Sequence, residues 1–491
     1  MPRGRRQKYR KTARRVVQKK CGAMSRSRRQ TTSANGRWQR RRDTRNVTKS
    51  DPAETGEKGK EETMREIFGP LFYVVVAYLI FEAAMLIIYL PRLRFWIYGF
   101  IPQKRFTAKR TRKIAVIVPA RDESKSIPPL LRSLNEQDYP ADSFDIYIVI
   151  KHPDDPTVGI VREMLPRAEI ITVENQKIKA EALDSGIRKA LGKGIKYDGF
   201  AVVDADCILD TSYLTEINRA AESDAKVIIP AKRIKNRMCR DKRVNNLISD
   251  CSGMTYIALD RMGNKAKSKL GYTLSLCGQG MYIDGDFIRE MGGYPFRSIT
   301  EDYEIAGECM RRGYAQYYCD SAVVYSEEPV EISEYDKRRV RWIQGFLQFG
   351  HMYGKEVHRA TFKKGGIRHL HFVYGLVPVG FILAGSIIMF FAMLFTSAWA
   401  YAMGDRLLAV SALFATAVPF VLTYAELIIF ALFELLLSDD RKCMTAAERL
   451  RFVFLSPFVQ AGYIPVFLRA FFGKGKEWTP VKRVDLPKEA E

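Results

Sequence analysis

The chain has 491 residues, 47% of them hydrophobic, which is enough for two or more domains with full cores and excludes a wholly disordered protein. Its formal charge of +24 sits largely at one end: residues 1–63 hold 21 Lys and Arg against 6 Asp and Glu, a surplus of 15 that leaves +9 for the rest. The eight cysteines are scattered, without a Cys-x-x-Cys pair or a zinc-type Cys/His spacing, which argues against a disulfide framework and fits reduced thiols.

Residues 1–63 are rich in Arg, Lys, Ser, Thr and Gly and lack apolar periodicity, so we expect a basic disordered tail. A nucleic-acid or anionic-lipid arm would share this composition. The codons for Lys60-Glu61-Glu62-Thr63 can hold a purine-rich ribosome-binding sequence just ahead of Met64. We therefore expect translation to start at Met64, with residues 1–63 an over-extended reading frame; native peptides from that stretch would refute this.

From Ile67 to Leu90 the sequence is apolar except for Glu82. A bilayer core takes about 20 such residues, so a transmembrane helix is expected. Glu82 facing lipid would cost roughly 3 kcal/mol, so it should face another helix or a polar path. Arg92, Arg94, Lys104, Arg105, Lys109, Arg110, Arg112 and Lys113 follow, which places this end on the cytosolic side. One helix cannot keep two basic ends inside, and a start at Met64 removes that conflict.

Residues 114–330 read as a soluble α/β domain. Apolar runs at Ile114–Val118, Ile146–Ile150, Glu169–Val173, Phe200–Val203 and Lys226–Ile229 alternate with helical stretches such as Ile127–Gln137 and Ile178–Leu191. The run Phe200-Ala-Val-Val-Asp204-Ala-Asp206 ends in two carboxylates one residue apart, which a strand would project to the same side. Paired hard oxygens suit Mg²⁺ or Mn²⁺ completed by waters and substrate phosphates, and open parallel sheets bind ligands at such strand ends.

Beyond Glu331 an amphipathic stretch, 331–365, fits the membrane interface. Apolar runs at 372–396 and 407–437 read as transmembrane helices, and 452–472, broken by Pro457 and Pro465, as transmembrane or re-entrant. A basic tail, 473–491, closes the chain.

Four further stretches join the carboxylate pair. Val116-Ile-Val-Pro119-Ala120-Arg121-Asp122-Glu123 is a strand turning into polar residues, and Lys179-Ala-Glu-Ala-Leu183 opens a helix with a point charge suited to phosphate. Ser298-Ile-Thr300-Glu301-Asp302-Tyr303-Glu304 carries three carboxylates after Gly292-Gly293, and Arg338-Arg339-Val-Arg341-Trp342-Ile-Gln-Gly345 combines guanidinium groups with an indole. In this order and spacing the set, over roughly residues 64–483, resembles the processive membrane-bound glycosyltransferases of family 2, the group of cellulose, chitin, hyaluronan and mixed-linkage glucan synthases.

That resemblance implies a GT-A-type, Rossmann-like cytosolic catalytic domain inserted between transmembrane helices. It implies an inverting, metal-dependent enzyme that polymerises a β-linked polysaccharide from a UDP-sugar, glucose or N-acetylglucosamine, and passes it across the plasma membrane. Ala120, Arg121 and Glu123 would cradle the nucleoside, Asp204 would lie near the nucleotide, and Asp206 would bind the Mg²⁺ or Mn²⁺ that neutralises the departing diphosphate. Asp302 would be the general base, and Glu301 beside it would bind the acceptor. Trp342 would be the floor for the acceptor sugar, Arg339 and Arg341 would contact the diphosphate, and Lys179 would support the donor. Cys277-Gly278 would line the acceptor pocket, and Trp478, Thr479 and Lys482 resemble a degenerate gating loop over the nucleotide.

Two departures stand out. Family members carry an aspartate soon after the second strand that reads uracil, where this chain has Lys151-His-Pro-Asp154-Asp155, and the usual glutamine of Gln-x-x-Arg-Trp is Arg338. The second leaves room for a transferase that adds one sugar to a lipid acceptor. The implied partners are a UDP-sugar, a growing glycan and the bilayer. A nucleic-acid partner is not expected, since it would leave the 114–345 motifs unexplained.

Overall fold

The computed structural model describes residues 97–239, 241–364 and 377–473, with Tyr73, Val76, Ile80, Ala83, Ala84, Arg94, Phe95 and Phe372. The basic tail at 1–63, nearly all of the 67–90 span and the gating residues Trp478, Thr479 and Lys482 lie outside the described residues.

The elements run β1 (Ile114–Pro119), α1 (Pro128–Asn135), β2 (Phe144–Ile150), α2 (Thr157–Met164), β3 (Glu169–Thr172), α3 (Lys179–Leu191), β4 (Gly199–Val202), β5 (Ile208–Leu209), α4 (Tyr213–Ala220) and β6 (Val227–Ile234). There follow α5 (Leu247–Ala258), α6 (Lys265–Leu270), β7 (Met281–Asp284), α7 (Gly285–Met291), α8 (Glu301–Arg312), β8 (Gln316–Ser326) and α9 (Ile332–Lys364). The C-terminal part is helical: α10 (Val377–Ala402), α11 (Arg406–Ala415), α12 (Ala417–Leu437), α13 (Ala446–Ala461) and α14 (Tyr463–Phe472).

Among the described residues the strands form one eight-stranded sheet in the order β3-β2-β1-β4-β7-β6-β8-β5. The sequence of β1 shows why its core is double. Ile114, Val116 and Val118 enter the apolar layer on one face, while Ala115 and Ile117 enter the layer on the other. A strand covered on both faces needs a continuous apolar run, as its sequence provides.

The expectation of a parallel sheet holds only in part, because β7 runs antiparallel between β4 and β6. Antiparallel insertion puts the Cys277–Gln279 turn, which precedes β7, at the same sheet edge as the segment that follows β4. Asp204 and Asp206 also differ from their expected setting. β4 stops at Val202, and a turn closed by the Cys207 N–H donating to the Asp204 carbonyl at 3.1 Å, not strand alternation, aims them.

Within the expected 331–365 stretch, Ile332–Lys364 form one continuous helix, α9, where several were expected. It is held on both sides: Ile343 packs with Val466 and Ala470 of α14, while Phe349 and Val357 join the core layer that contains Ile305 and Ala306 of α8. Among the described residues, three helical stretches, Gly385–Ala402, Arg406–Leu437 and Ala446–Phe472, are long and apolar enough to cross a membrane. The α/β unit docks on them through an apolar patch of Ile234, Met254 and Ile257 against Leu435 and Phe452. Around it lie ion pairs Arg233–Asp439 (2.8 Å), Arg237–Glu448 (3.3 Å) and Arg451–Asp250 (3.4 Å).

Candidate active site

The ends of β1, β4 and β8, the turn before β7, the start of α8 and one face of α9 converge on a single cleft of about 160 Å³. It brings together the expected Arg121, Glu123, Lys179, Asp204, Asp206, Cys277, Gly278, Glu301, Asp302, Arg341 and Trp342.

Lys179 is the first residue of α3, and its ammonium lies 2.6 Å from Asp204 Oδ1 and 3.1 Å from Glu301 Oε1. Burial alone would lower its pKa, but the charges of Asp204 and Glu301 outweigh burial and hold it well above the ordinary lysine value. Gly278 presses on this bridge: a Cβ there would stand 2.9 Å from Lys179 Nζ and 3.1 Å from Glu301 Oε1. The glycine is required by close approach.

Asp302 follows Glu301 in the first turn of α8, where carboxylates favour the helix dipole. Its Oδ2 accepts the Gly278 N–H at 3.3 Å and its Oδ1 the Tyr303 N–H at 2.9 Å. Burial, then the adjacent Glu301 charge, push its pKa up to about 7, against the pull of Lys179 and Lys232. A carboxylate so tuned can take a proton at neutral pH. Glu304, the third carboxylate of the motif, is buried and instead accepts the Arg297 N–H at 3.0 Å and the Tyr353 hydroxyl at 2.6 Å.

Asp206 is buried, and its carbonyl accepts from Lys235 Nζ at 2.8 Å. Whether these carboxylates suit Mg²⁺ or Mn²⁺ can be judged from Asp204, which already holds a cation, the Lys179 ammonium. Among the described residues no three His, Cys, Asp or Glu are grouped to hold a metal alone. The fit is therefore to a cation that brings phosphate and water ligands of its own.

On α9, Arg338, Arg341, Trp342 and Gly345 share one face by their i, i+3, i+4 and i+7 spacing. Arg338 is buried, donates to Glu328 Oε2 at 2.8 Å and to the Tyr256 hydroxyl at 2.9 Å, and lies 5.1 Å above the ring centre of Trp342. Tyr256 stands edge-on to Trp342 at 5.4 Å. Arg341 lines the cleft with no ion pair or hydrogen bond among the described residues, and burial and the neighbouring Arg338 charge lower its pKa. It is a cation open to an anionic ligand. At Gly345 an added Cβ would meet the Thr300 side chain at 2.3 Å, so this glycine lets α9 approach the loop that carries Asp302.

Two expected donor contacts are placed elsewhere. Arg339 is fully buried on the far side of α9, pairs with Asp336, donates to the Val459 carbonyl at 3.2 Å, and lies between the rings of Tyr335 and Tyr463. At about 100° per residue, Arg339 lies roughly 160° around the helix from Arg341 and roughly 120° from Gly345, outside the cleft face. Ala120 is buried in the sheet core, its N–H donating to the Val149 carbonyl at 2.8 Å.

Of the candidates for reading a base, Asp155 accepts the N–H of Thr157 at 2.8 Å and of Asp122 at 3.2 Å, tying two loops together, while Asp154 is exposed. Cys277 lines the cleft as a thiol whose pKa burial raises despite nearby Lys232.

Tyr256, Glu327, Glu328, Lys232 and Lys235 were not foreseen. Glu327-Glu328 stands just past an apolar strand, the same signal that marks Asp204 and Asp206. The lysines carry no comparable signal, since they are buried strand and turn residues made tolerable only by partners distant in sequence.

Residues 111–345 match the model of the family described as glycosyltransferase like family 2. The matched stretch is just under half of the chain, and its likeness is to family 2 glycosyltransferases. That stretch has an α/β fold built on a mixed sheet. The chain is 24% identical over 253 residues to "Probable glycosyltransferase YdaM" of Bacillus subtilis, a match covering 50% of this chain and 58% of that protein. It is 21% identical over 192 residues to the beta-monoglucosyldiacylglycerol synthase of Trichormus variabilis, covering 39% of this chain and 40% of that one. Among solved structures, the mannosyltransferase PcManGT from Pyrobaculum calidifontis, in complex with GDP-Man and Mn²⁺, aligns with a TM-score of 0.49 at 19% identity. That alignment covers 83% of this chain and all (100%) of the other. S. aureus TarS 1-349 aligns at 15% identity with a TM-score of 0.33, covering 72% of this chain and 91% of the other.

Proposed function

We propose that the protein is a membrane-associated, inverting glycosyltransferase that moves a hexosyl group from a nucleotide sugar, UDP-linked in our reading, to an acceptor hydroxyl at the cytosolic surface of the plasma membrane. The observation that carries this is Asp302, a cleft carboxylate raised to about 7 and aimed by two backbone N–H groups. As general base it takes the acceptor's proton while the hydroxyl oxygen attacks the anomeric carbon from the face opposite the diphosphate. Arg341, Lys179 and Arg121 line the same cleft and meet the charge on the departing nucleotide. Asp204 and Asp206 are the ligands for Mg²⁺ or Mn²⁺, whose contribution when bound is to neutralise that charge.

The acceptor end of the cleft is α9, which packs against α14 through Ile343. This supports delivery of the acceptor from the bilayer side. Between a growing β-linked chain and a lipid hydroxyl, the lipid reading gains from Arg338, whose guanidinium covers a face of the indole that would otherwise stack a sugar. The name of the Trichormus relative, a glucosyldiacylglycerol synthase, agrees with it.

The test is the full chain in nanodiscs with Mn²⁺, diacylglycerol and, separately, UDP-glucose, UDP-N-acetylglucosamine or GDP-mannose, following nucleotide release and product size. Release with one donor, lost in Asp302→Asn, is the expected result. Silence with every donor would overturn the proposal, and long polymers would return the processive reading to the lead.

A further inference from the structure

Lys179 does more than line the cleft. Its ammonium sits on Asp204 Oδ1 at 2.6 Å and on Glu301 Oε1 at 3.1 Å, while the Glu301 side chain is 6% exposed. The base of this lysine is rigid. α3 lies against the sheet so closely that a Cβ on Gly186 would meet Ile117 at 2.8 Å and Val149 at 2.9 Å. Gly278 leaves room for the ammonium and no more.

We propose that Lys179 is a placeholder cation at the metal position: its ammonium occupies the Asp204 carboxylate until a nucleoside diphosphate arrives with its divalent ion, and it then transfers to the diphosphate. This rests on the reading of the cleft as a nucleotide-sugar site. The physical argument is competition. A divalent ion bound to Asp204 would stand within a few ångströms of a fixed positive charge, and that repulsion is strong in a partly buried site. Without phosphate the displaced ammonium keeps Glu301, with Asp302 nearby, whereas a bound diphosphate offers it several charged oxygens. Metal and nucleotide therefore enter together, and metal alone binds weakly.

Free Mn²⁺ measured by electron paramagnetic resonance, on the full chain in nanodiscs, tests this without turnover. Wild type should bind Mn²⁺ weakly alone and about tenfold more tightly with UDP or GDP present. Lys179→Met should bind Mn²⁺ without nucleotide about tenfold more tightly than wild type, and Lys179→Arg should stay near wild type. Lys179→Gln is a second neutral variant should the Met protein unfold, and Asp204→Asn in the Lys179→Met background should abolish the gain.

Equal nucleotide-free Mn²⁺ affinity in wild type and both neutral variants would overturn the proposal. A gain in those variants with no response to UDP or GDP in any protein would support Lys179 as the competing cation and overturn the donor reading of the cleft. The two failures are thus separable.

Discussion

The guanidinium of Arg338 lies 5.1 Å above the ring centre of Trp342, at the position where the resembled synthases carry glutamine. Its charge is met by Glu328, which is buried and also accepts from Ser252 Oγ at 2.5 Å. Replacing Arg338 with Gln should lower stability by roughly 3 kcal/mol, because Glu328 is left as an unpaired buried carboxylate. The double variant Arg338→Gln, Glu328→Gln should recover most of that loss in thermal unfolding. If the indole face limits the acceptor, the double variant should also use oligosaccharide acceptors better than wild type. Unchanged acceptor preference would remove Arg338 from the argument about product length.

The pH dependence should follow Asp302. With its pKa at about 7, the active, deprotonated form grows as pH rises, so kcat/KM should climb to a plateau with a midpoint near 7. Asp302→Asn should reduce kcat by about 10³-fold. Stability should move the opposite way. A carboxyl whose folded pKa is raised contributes stability below its unfolded value, about 4, and loses it as pH climbs through about 7. Asp302→Asn should then be more stable than wild type at pH 8, by on the order of 1 kcal/mol once water in the cleft is allowed for. A rate profile flat from pH 5 to 8 (roughly the range in which such a group titrates) would remove Asp302 as the base.

Gly278→Ala tests the bridge between Lys179 and Glu301. The added methyl would stand 2.9 Å from Lys179 Nζ, and the ammonium has to shift by some tenths of an ångström. The fold should survive, since the crowding atoms are side-chain ends. We expect a drop in kcat/KM of about tenfold with little change in unfolding temperature.

Arg339 and Arg341 should separate cleanly. Arg339→Met removes a buried charge that pairs with Asp336 and the Val459 carbonyl, and should destabilise the protein by roughly 3 kcal/mol without raising donor KM in the protein that folds. Arg341→Met should leave unfolding unchanged and raise donor KM about tenfold, since a charge-assisted contact to the diphosphate is lost. Equal effects of the two on donor KM would contradict the placement of Arg339 behind the helix.

Much of this was legible along the chain. The runs at Ile114–Val118 and Phe200–Val203 could only be buried strands, and the carboxylates following the second had to emerge where its sheet ends, so β1, β4 and the cleft edge follow from local pattern. Helical periodicity of 3.6 residues per turn groups Arg338, Arg341 and Trp342, but the resemblance set Arg339 on the diphosphate beside Arg341, and the structure places it behind the helix. The pairing of β7 antiparallel between β4 and β6 was not, because strand order depends on which edges meet once the chain collapses. Nor were the partners of the charged groups. Lys179 meets Asp204 and Glu301, and Arg338 meets Glu328, across long sequence separations, and a charge taken out of water accepts whichever opposite charge the fold brings within a few ångströms. Residue types and periodicity therefore determined the strands, the apolar helices and the cleft's chemistry, while tertiary packing alone decided which cation sits on which carboxylate.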